Sequence, residues 1–468
     1  MTTLTFWGGV GTVTGSKYLL EHENQRVLID CGLFQGLKEL RELNWQDPPF
    51  DPQSLAAVVL THAHTDHTGY LPRLVRQGFA GPVFASKATC ELLKILLPDA
   101  ARLQTEEANY RNRHNLTSHS PALPLYDETD AKAAIKLLRA VVASDENSVE
   151  IAKGFRASFR SAGHILGASS VLIEINNEVS SENKCRILFS GDLGRVGQVI
   201  LPDPAAPPAC DYLLVESTYG DRRHEAEDPA EKLAQIVRNA ADKSSPVLIP
   251  SFAVGRTQEL LYLIRELEDA GRIPVLPVTT DSPMAHAATA AYQRFASELD
   301  AEYQSVLSQK RHPLRTNSMS TAVMREESKQ LNKQRGAQII ISASGMMTGG
   351  RVLHHARRIL SDPNAILVFV GFQAAGTIGR KILEGAREVK IMKELVPVRC
   401  RIERIEGFSA HADWQDILEW LEKMPTAPRQ TFVTHGEPEA ARQMSERIKE
   451  RFGWKIQIPN YGQKVQFA

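Results

Sequence analysis

The segment Leu55-Ala56-Ala57-Val58-Val59-Leu60-Thr61-His62-Ala63-His64-Thr65-Asp66-His67 runs from an unbroken apolar stretch straight into three imidazoles and a carboxylate. Its first half reads as a buried strand, and its second half as the loop where that strand surfaces. In extended chain alternate side chains share a face, so His62 and His64 can point at one ion. If the chain then turns into a helix, Asp66 and His67 sit a little further on and can serve a second ion. Imidazole and carboxylate together suit zinc ahead of other first-row divalent ions. The bland alternative is a polar loop that is rich in histidine by chance.

Ionisable residues recur at the ends of other apolar runs. Val27-Leu28-Ile29 ends in Asp30, and Ile187-Leu188-Phe189-Ser190-Gly191 ends in Asp192. Tyr212-Leu213-Leu214-Val215 ends in Glu216, Gln430–Thr434 ends in His435, and His164 follows the strand-like Phe155–Arg160. Sites in layered α/β folds gather where strands emerge at one edge. A single strand-end aspartate is usually a turn residue or helix cap. Their joint occurrence beside His62–His67 points to a site.

At 468 residues the chain exceeds one small core, and two domains is the natural expectation. A formal net charge of zero argues against a histone-like binder and leaves room for a local basic cleft. Cys31, Cys90, Cys185, Cys210 and Cys400 are dispersed without C-x-x-C spacing, as reduced thiols are. Residues Met1–Trp7 lack a signal-peptide pattern, and no apolar run approaches the ~20 residues of a spanning helix. The expectation is a soluble, cytoplasmic protein with no membrane association.

Strand-like runs open the chain at Thr3–Trp7, Lys17–Glu21, Arg26–Asp30, Ala56–Leu60 and Pro82–Ala85. Helices are expected over Lys87–Asn115 and Glu128–Val141, with strands again at Phe155–Ser161, Ser169–Ile175 and Arg186–Ser190. The polar Asn176–Lys184 reads as a hairpin tip. After the proline-rich Leu201–Pro208, a strand, glycine loop and helix pattern repeats from about Asp221 to Arg404, which implies a parallel sheet with helices on its faces. The metal-type pattern then resumes at Phe408–Asp413 and Gln430–Glu437. An α/β module thus reads as inserted into a domain that starts at residue 1 and finishes at the C-terminus. The expected borders are 1–215, 216–405 and 406–468.

On these residues the chain resembles the β-CASP nucleases of the metallo-β-lactamase fold over nearly its whole length. The metallo-β-lactamase motifs occur in order as Asp30, His62/His64/Asp66/His67, His164, Asp192 and His435. The β-CASP motifs match Glu216 in Val215-Glu216-Ser217-Thr218-Tyr219-Gly220 and His411 in Phe408-Ser409-Ala410-His411-Ala412-Asp413. Pro250–Glu259 and the stretch from Ser344-Gly345-Met346 through Gly349-Gly350-Arg351 also look like this family. The resemblance implies an αββα sandwich, α/β in class, carrying an inserted β-CASP α/β domain. It resembles the nuclease subunit of the pre-mRNA 3′-end cleavage and polyadenylation specificity factor and its bacterial relatives.

By that resemblance His62, His64, His164 and Asp192 hold one zinc, while Asp66, His67, Asp192 and His435 hold another. Manganese is the alternative ion, and Asp30 supports the histidine loop from behind. Two ions sharing a hydroxide can attack a phosphodiester, with His411 as general acid and Glu216 orienting it; Asp66 belongs to the catalytic set as well. The substrate implied is single-stranded RNA, cut endonucleolytically, from the 5′ end, or both. RNA is preferred to DNA because DNA-repair members usually carry valine where this chain has His435. The appended C-terminal domain and the N-terminal KH domains of some relatives are not seen, so a compact bacterial-type enzyme, with a homo-oligomer allowed, is the expectation.

The glycine-rich turns contain no Walker A pattern, and Gly8–Gly15 precedes a strand-like segment, which makes it a poor dinucleotide fingerprint. Helix N-termini after such turns favour phosphate, so Arg256, Ser344, Arg351 and Arg380 are the expected RNA contacts. The competing readings are a small-molecule metallohydrolase of thioesterase or lactonase type, a nuclease inactive without a partner, and an RNA-binding scaffold without catalysis. The first leaves the inserted module and His411 unexplained, and the last requires lost ligands.

Overall fold

The computed structural model describes residues 1–116, 121–144, 147–176, 184–224, 228–371, 373, 376–405 and 407–467. The chain divides into two units, one of Met1–Val196, Asp203–Arg223 and His411–Ala468, the other of Gly197–Pro202 and His224–Ala410.

The first unit is built on two seven-stranded sheets. One runs in the order Lys464–Phe467, Thr2–Phe6, Tyr18–His22, Gln25–Ile29, Ala57–Val59, Val83–Ser86, Leu138–Val141. The other runs Ile456–Gln457, Gln430–Val433, Tyr212–Val215, Lys184–Phe189, Ser169–Asn176, Phe155–Ser161, Ser148–Ala152. Leu4, Phe6, Leu20, Val27 and Ile29 of the first sheet share one apolar core with Phe155, Phe159, Ile173, Phe189 and Phe432 of the second. Each sheet thus has one face against the other, the arrangement that buries alternating apolar side chains. Helices Leu71–Arg76, Lys87–Arg113 and Glu128–Lys136 pack together beside the first sheet, and Trp414–Glu422 and Pro438–Phe452 beside the second. This is the αββα layering implied by the resemblance.

Pairing direction explains where the polar residues surface. Gln25–Ile29 and Ala57–Val59 are parallel neighbours with Ile29 opposite Val59, so Asp30 and Thr61 leave the sheet at the same edge. In the second sheet Lys184–Phe189, Tyr212–Val215 and Gln430–Val433 are likewise parallel, with Phe189 opposite Leu214 and Val215 opposite Val433. Asp192, Glu216 and His435 follow those strand ends.

Two expectations are corrected. The helix read over Glu128–Val141 stops at Lys136, and Leu138–Val141 is a strand parallel to Val83–Ser86. Pairing with a distant strand overrides the local helical pattern there. The strand Ser148–Ala152, antiparallel to Phe155–Ser161, was not anticipated. Of the hairpin tip read at Asn176–Lys184, residues 177–183 lie outside the described residues.

The second unit has a six-stranded, wholly parallel sheet in the order Met319–Thr321, Val278–Asp281, Gln338–Ser342, Pro246–Pro250, Ile366–Phe369, Arg401–Arg404. Alternate residues of its strands feed two cores. Val247, Ile249, Ile339 and Ile341 pack beneath Pro229–Asp242 and Arg256–Asp269, whereas Leu248, Ile340, Leu367 and Phe369 pack with Val352–Ile359. Helices on both faces account for the near-continuous apolar strands. An antiparallel hairpin, Glu388–Ile391 with Glu394–Pro397, is an addition the sequence pattern did not announce.

Candidate metal centre

The loop Thr61–His67 leaves its strand buried and turns into the short helix Thr65–Thr68. Asp30 fixes that exit. Thr61 donates its backbone N–H to Asp30 Oδ1 at 2.8 Å and its hydroxyl to Oδ2 at 2.9 Å, and His67 Nδ1 lies 2.7 Å from Oδ2. Asp30 holds a left-handed backbone, φ 57°, and so does His435, φ 49°. Such conformations in residues other than glycine cluster at functional sites.

Two four-residue groups of ligand atoms form among the described residues of the first unit. His62, His64, His164 and Asp192 converge in one, and Asp66, His67, Asp192 and His435 in the other. In the first, His64 Nδ1 lies 3.2 Å from His62 Nε2 and 3.1 Å from His164 Nε2. In the second, His67 Nε2 lies 3.1 Å from His435 Nε2, and Asp66 Oδ2 lies 3.5 Å from the same His435 nitrogen.

Asp192 belongs to both groups and divides its oxygens between them. Oδ2 faces His62 Nε2 at 3.4 Å and His164 Nε2 at 3.6 Å, whereas Oδ1 faces His67 Nε2 at 3.3 Å and His435 Nδ1 at 3.4 Å. Both oxygens are buried, and neither has a hydrogen-bond donor among the described residues. A buried carboxylate without donors, ringed by imidazoles, is costly unless a cation joins it. The donor set of nitrogen and carboxylate oxygen therefore fits divalent ions of the zinc type.

The electrostatics agree. Burial, then the charge of His67, holds His62 well below the ordinary imidazole range, and burial lowers His64. These rings are neutral, the form that donates a lone pair. Burial works against His67, but the charges of Asp192 and Asp30 raise it well above that range. Burial opposes ionisation of Asp66 and Asp192 too, yet the surrounding histidines bring Asp66 down to about 2 and Asp192 well below the carboxylate range.

Beside these groups Glu216 accepts the Leu193 N–H at 2.6 Å, and His411 Nδ1 lies 3.4 Å from its Oε2. The His411 ring is 4.4 Å from that of His164. An isolated bridge pairs His411 with Gly194, and Ala412 donates to Leu193 O at 2.8 Å, so His411 hangs on the strand end that carries Asp192. Burial alone would lower the His411 imidazole, but the charge and hydrogen bond of Glu216, with Asp192 and Asp66, raise it to about 9.

Asp30, His62, His64, Asp66, His67, His164, Asp192, Glu216, His411 and His435 all lie in the first unit. Arg256, Ser344, Arg351 and Arg380 lie in the second unit, each engaged within it. Arg256 pairs with Glu259 at 2.5 Å, and Arg351 donates to Asp281 at 2.7 Å and to Val323 O at 2.7 Å. Arg380 pairs with Glu384 at 2.6 Å from an exposed position, and Ser344 meets the Thr348 hydroxyl at 3.0 Å. Sequence reasoning passed over Thr61 and Thr218. Thr218 Oγ1 lies 3.1 Å from His435 Nδ1 and fixes the ring. Both threonines sit inside the quoted motifs, which is the signal that could have found them.

The chain is similar to known proteins along its length. Residues 10–173 match the metallo-beta-lactamase superfamily, 257–382 the Beta-Casp domain, and 395–459 a Zn-dependent metallo-hydrolase RNA specificity domain. Ribonuclease TTHA0252 of Thermus thermophilus is 35% identical over 461 residues, covering 98% of both chains. An RNase J-like protein of Methanocaldococcus jannaschii is 30% identical over 441 residues, 93% of both. The transcription termination factor FttA of the same archaeon is 27% identical over 97% of this chain and 70% of its own. A crystal structure of an Enterococcus faecalis protein of unknown function shares the fold, with TM-score 0.54 at 15% identity over 99% of both chains.

Proposed function

This chain belongs to the β-CASP ribonucleases of the metallo-β-lactamase fold, and from that premise we propose that it hydrolyses single-stranded RNA at a two-zinc centre. The observation that carries the two-ion reading is the division of Asp192, one oxygen toward each ligand group. His62, His64 and His164 would hold one ion and Asp66, His67 and His435 the other, with Asp192 common to both. Ions held there would supply Lewis acidity, for ionising water near neutral pH and for offsetting charge on the scissile phosphate.

The chain's own residues supply the remainder. Asp30 keeps His67 and the Thr61 loop in register, so the ligands need not reorganise when RNA arrives. Glu216 accepts from the Leu193 amide and faces His411 Nδ1, which leaves the imidazole oriented to give a proton to the departing oxygen. The negative charge of Glu216 favours the protonated ring that a general acid requires. Arg256, Ser344, Arg351 and Arg380 are proposed to meet the RNA backbone. No helix among the described residues is long and apolar enough to cross a membrane, and a cytoplasmic setting is proposed.

The test is cleavage of 5′-labelled single-stranded RNA by zinc-loaded protein beside Asp192→Ala and His411→Ala. The expected result is cleavage by the wild type, none by Asp192→Ala, and a strongly slowed reaction by His411→Ala. An inert wild type that binds two ions per chain would sink the reading in favour of a small-molecule hydrolase or a nuclease awaiting its partner. The product ladder separates internal cutting from trimming at the 5′ end.

A further inference from the structure

Lys17 is a buried cation that the mechanism does not use. It is 6% exposed, and among the described residues no carboxylate pairs with it. Its ammonium donates to Gly32 O at 2.5 Å and to Gly15 O at 3.5 Å. It also sits 4.7 Å from the ring centroids of both Phe34 and Tyr70. Burial pulls it down to about 8, which leaves it charged at neutral pH. An ammonium taken out of water without a counter-ion is costly, and here two carbonyls and two ring faces answer it.

What it joins is specific. Gly15 closes the loop Gly8–Gly15, whose folding back is so tight that a Cβ on Gly8 would meet Gly15 O at 1.8 Å. From this loop Gly9 O accepts the His435 N–H at 2.6 Å, and next to it Ser16 N donates to Asp66 O at 2.9 Å. Gly32 lies on the other carbonyl. Its neighbour Cys31 donates to His67 O at 2.7 Å, Leu33 donates to Thr65 O at 3.0 Å, and a Cβ on Gly32 would fall 1.6 Å from Asp66 O. The backbones of Asp66, His67 and His435 are thus tied to the two segments that Lys17 pins together. Asp30 serves both groups: it meets His67 Nδ1 directly, and it bonds Thr61, which precedes His62 and accepts from Ser169 at 2.9 Å. No contact of Lys17 reaches the His62/His64/His164 group among the described residues.

We propose that Lys17 is a positioning residue for the Asp66/His67/His435 ligand group, acting on its backbone through the glycine loop, beside Asp30, which holds the His67 ring directly. The inference rests on the two-ion reading above and deepens it, since it gives one ligand group a support that the other lacks. It also gives the glycine-rich N-terminal loop a role other than nucleotide binding.

The test titrates metal-free, full-length protein with zinc against a chromophoric chelator. His435→Ala and His164→Ala identify the two binding phases. Lys17→Met should weaken the phase lost in His435→Ala by about 10–100-fold, the range for supporting residues around a metal. The phase lost in His164→Ala should move less than about 3-fold, because Lys17 touches nothing that carries that group. Tyr70→Leu, which removes one ring face, should shift the same phase in the same direction by less, and serves if Lys17→Met does not fold. Two phases that move together, or neither moving, would overturn the inference alone. A single ion in the wild type would overturn the two-ion reading and this inference with it.

Discussion

Each unit of this protein buries an aspartate–histidine couple, and the two couples have opposite fates. In the first unit Asp30 Oδ2 meets His67 Nδ1 at 2.7 Å; in the second, Asp281 Oδ2 meets His355 Nε2 at 2.5 Å. The second couple is closed. His355 Nδ1 reaches Asn332 Oδ1 at 2.9 Å, and Asp281 also receives Ser328 Oγ at 2.6 Å and Arg351 at 2.7 Å. The first couple is open. His67 turns its other nitrogen toward His435 Nε2 and toward an Asp192 carboxylate that has no donor among the described residues. The pair chemistry is the same, and the difference lies in whether the outer nitrogen already has a satisfied partner. A satisfied network rigidifies a fold, whereas an unsatisfied one aimed at other lone pairs calls for a cation.

That contrast can be broken from either side. The largest effect is expected from Asp192→Ala, which removes the carboxylate common to both ligand groups; RNA cleavage should fall on the order of 10³-fold or more while the thermal melt of metal-free protein holds. Next is Asp281→Ala. Removing one partner of a buried pair costs about 3–5 kcal/mol, which a urea melt of the second unit should register. Zinc bound per folded molecule should stay the same, and a loss of zinc would show that the closed couple is not merely structural.

Asp30→Asn comes third. It keeps the side-chain shape and loses the charge, so zinc affinity or cleavage should drop about 10–100-fold with little change in folding. A fourth, smaller effect is expected of Thr218→Ala, which removes the hydroxyl that meets His435 Nδ1 and His435 O; on the order of 5-fold in zinc affinity corresponds to a net worth of about 1 kcal/mol for the ring contact. An unchanged affinity would mean that the backbone bonds to Gly9 and Ser217 suffice to place His435.

Acid sharpens the comparison further. Burial opposes the charge on Asp281, but the hydrogen bonds from His355, Ser328 and Arg351 bring its pKa below the ordinary carboxylate value. A carboxyl lowered in the folded state stabilises above its unfolded pKa of about 3.9 and loses that contribution as pH falls through the folded value. The wild type should therefore lose stability below about pH 4 faster than Asp281→Asn does, as followed by acid titration of the melt. Parallel curves would remove Asp281 as the source.

The open couple was legible in the sequence and the closed one was not. His62, His64, Asp66 and His67 declare themselves because four ligating side chains crowd the end of one apolar run, and Asp30, Asp192 and His435 because each follows another. Asp281 also ends a strand, yet His355 and Asn332 sit in helical stretches with no pattern of their own, and the fold alone brings them together. The same limit hid Leu138–Val141, whose strand exists through pairing with Val83–Ser86. It hid Lys17 as well, since a lysine at the head of a strand reads as solvated until the rings of Phe34 and Tyr70 close over it. Local composition reveals chemistry that is concentrated along the chain; partners drawn from distant segments require the tertiary pairing.

The interleaving of the first unit also sets when during synthesis the centre can exist. Its ligands span His62 to His435, and the first strand, Thr2–Phe6, finds one of its two neighbours only in Lys464–Phe467. Chains generally fold from the N-terminal side as they leave the ribosome, but here the early residues wait for late ones. A nascent chain that already displays His62, His64 and Asp66 still lacks His411 and His435. A chain still being made can therefore complete the proposed ligand set only after His435 has been added.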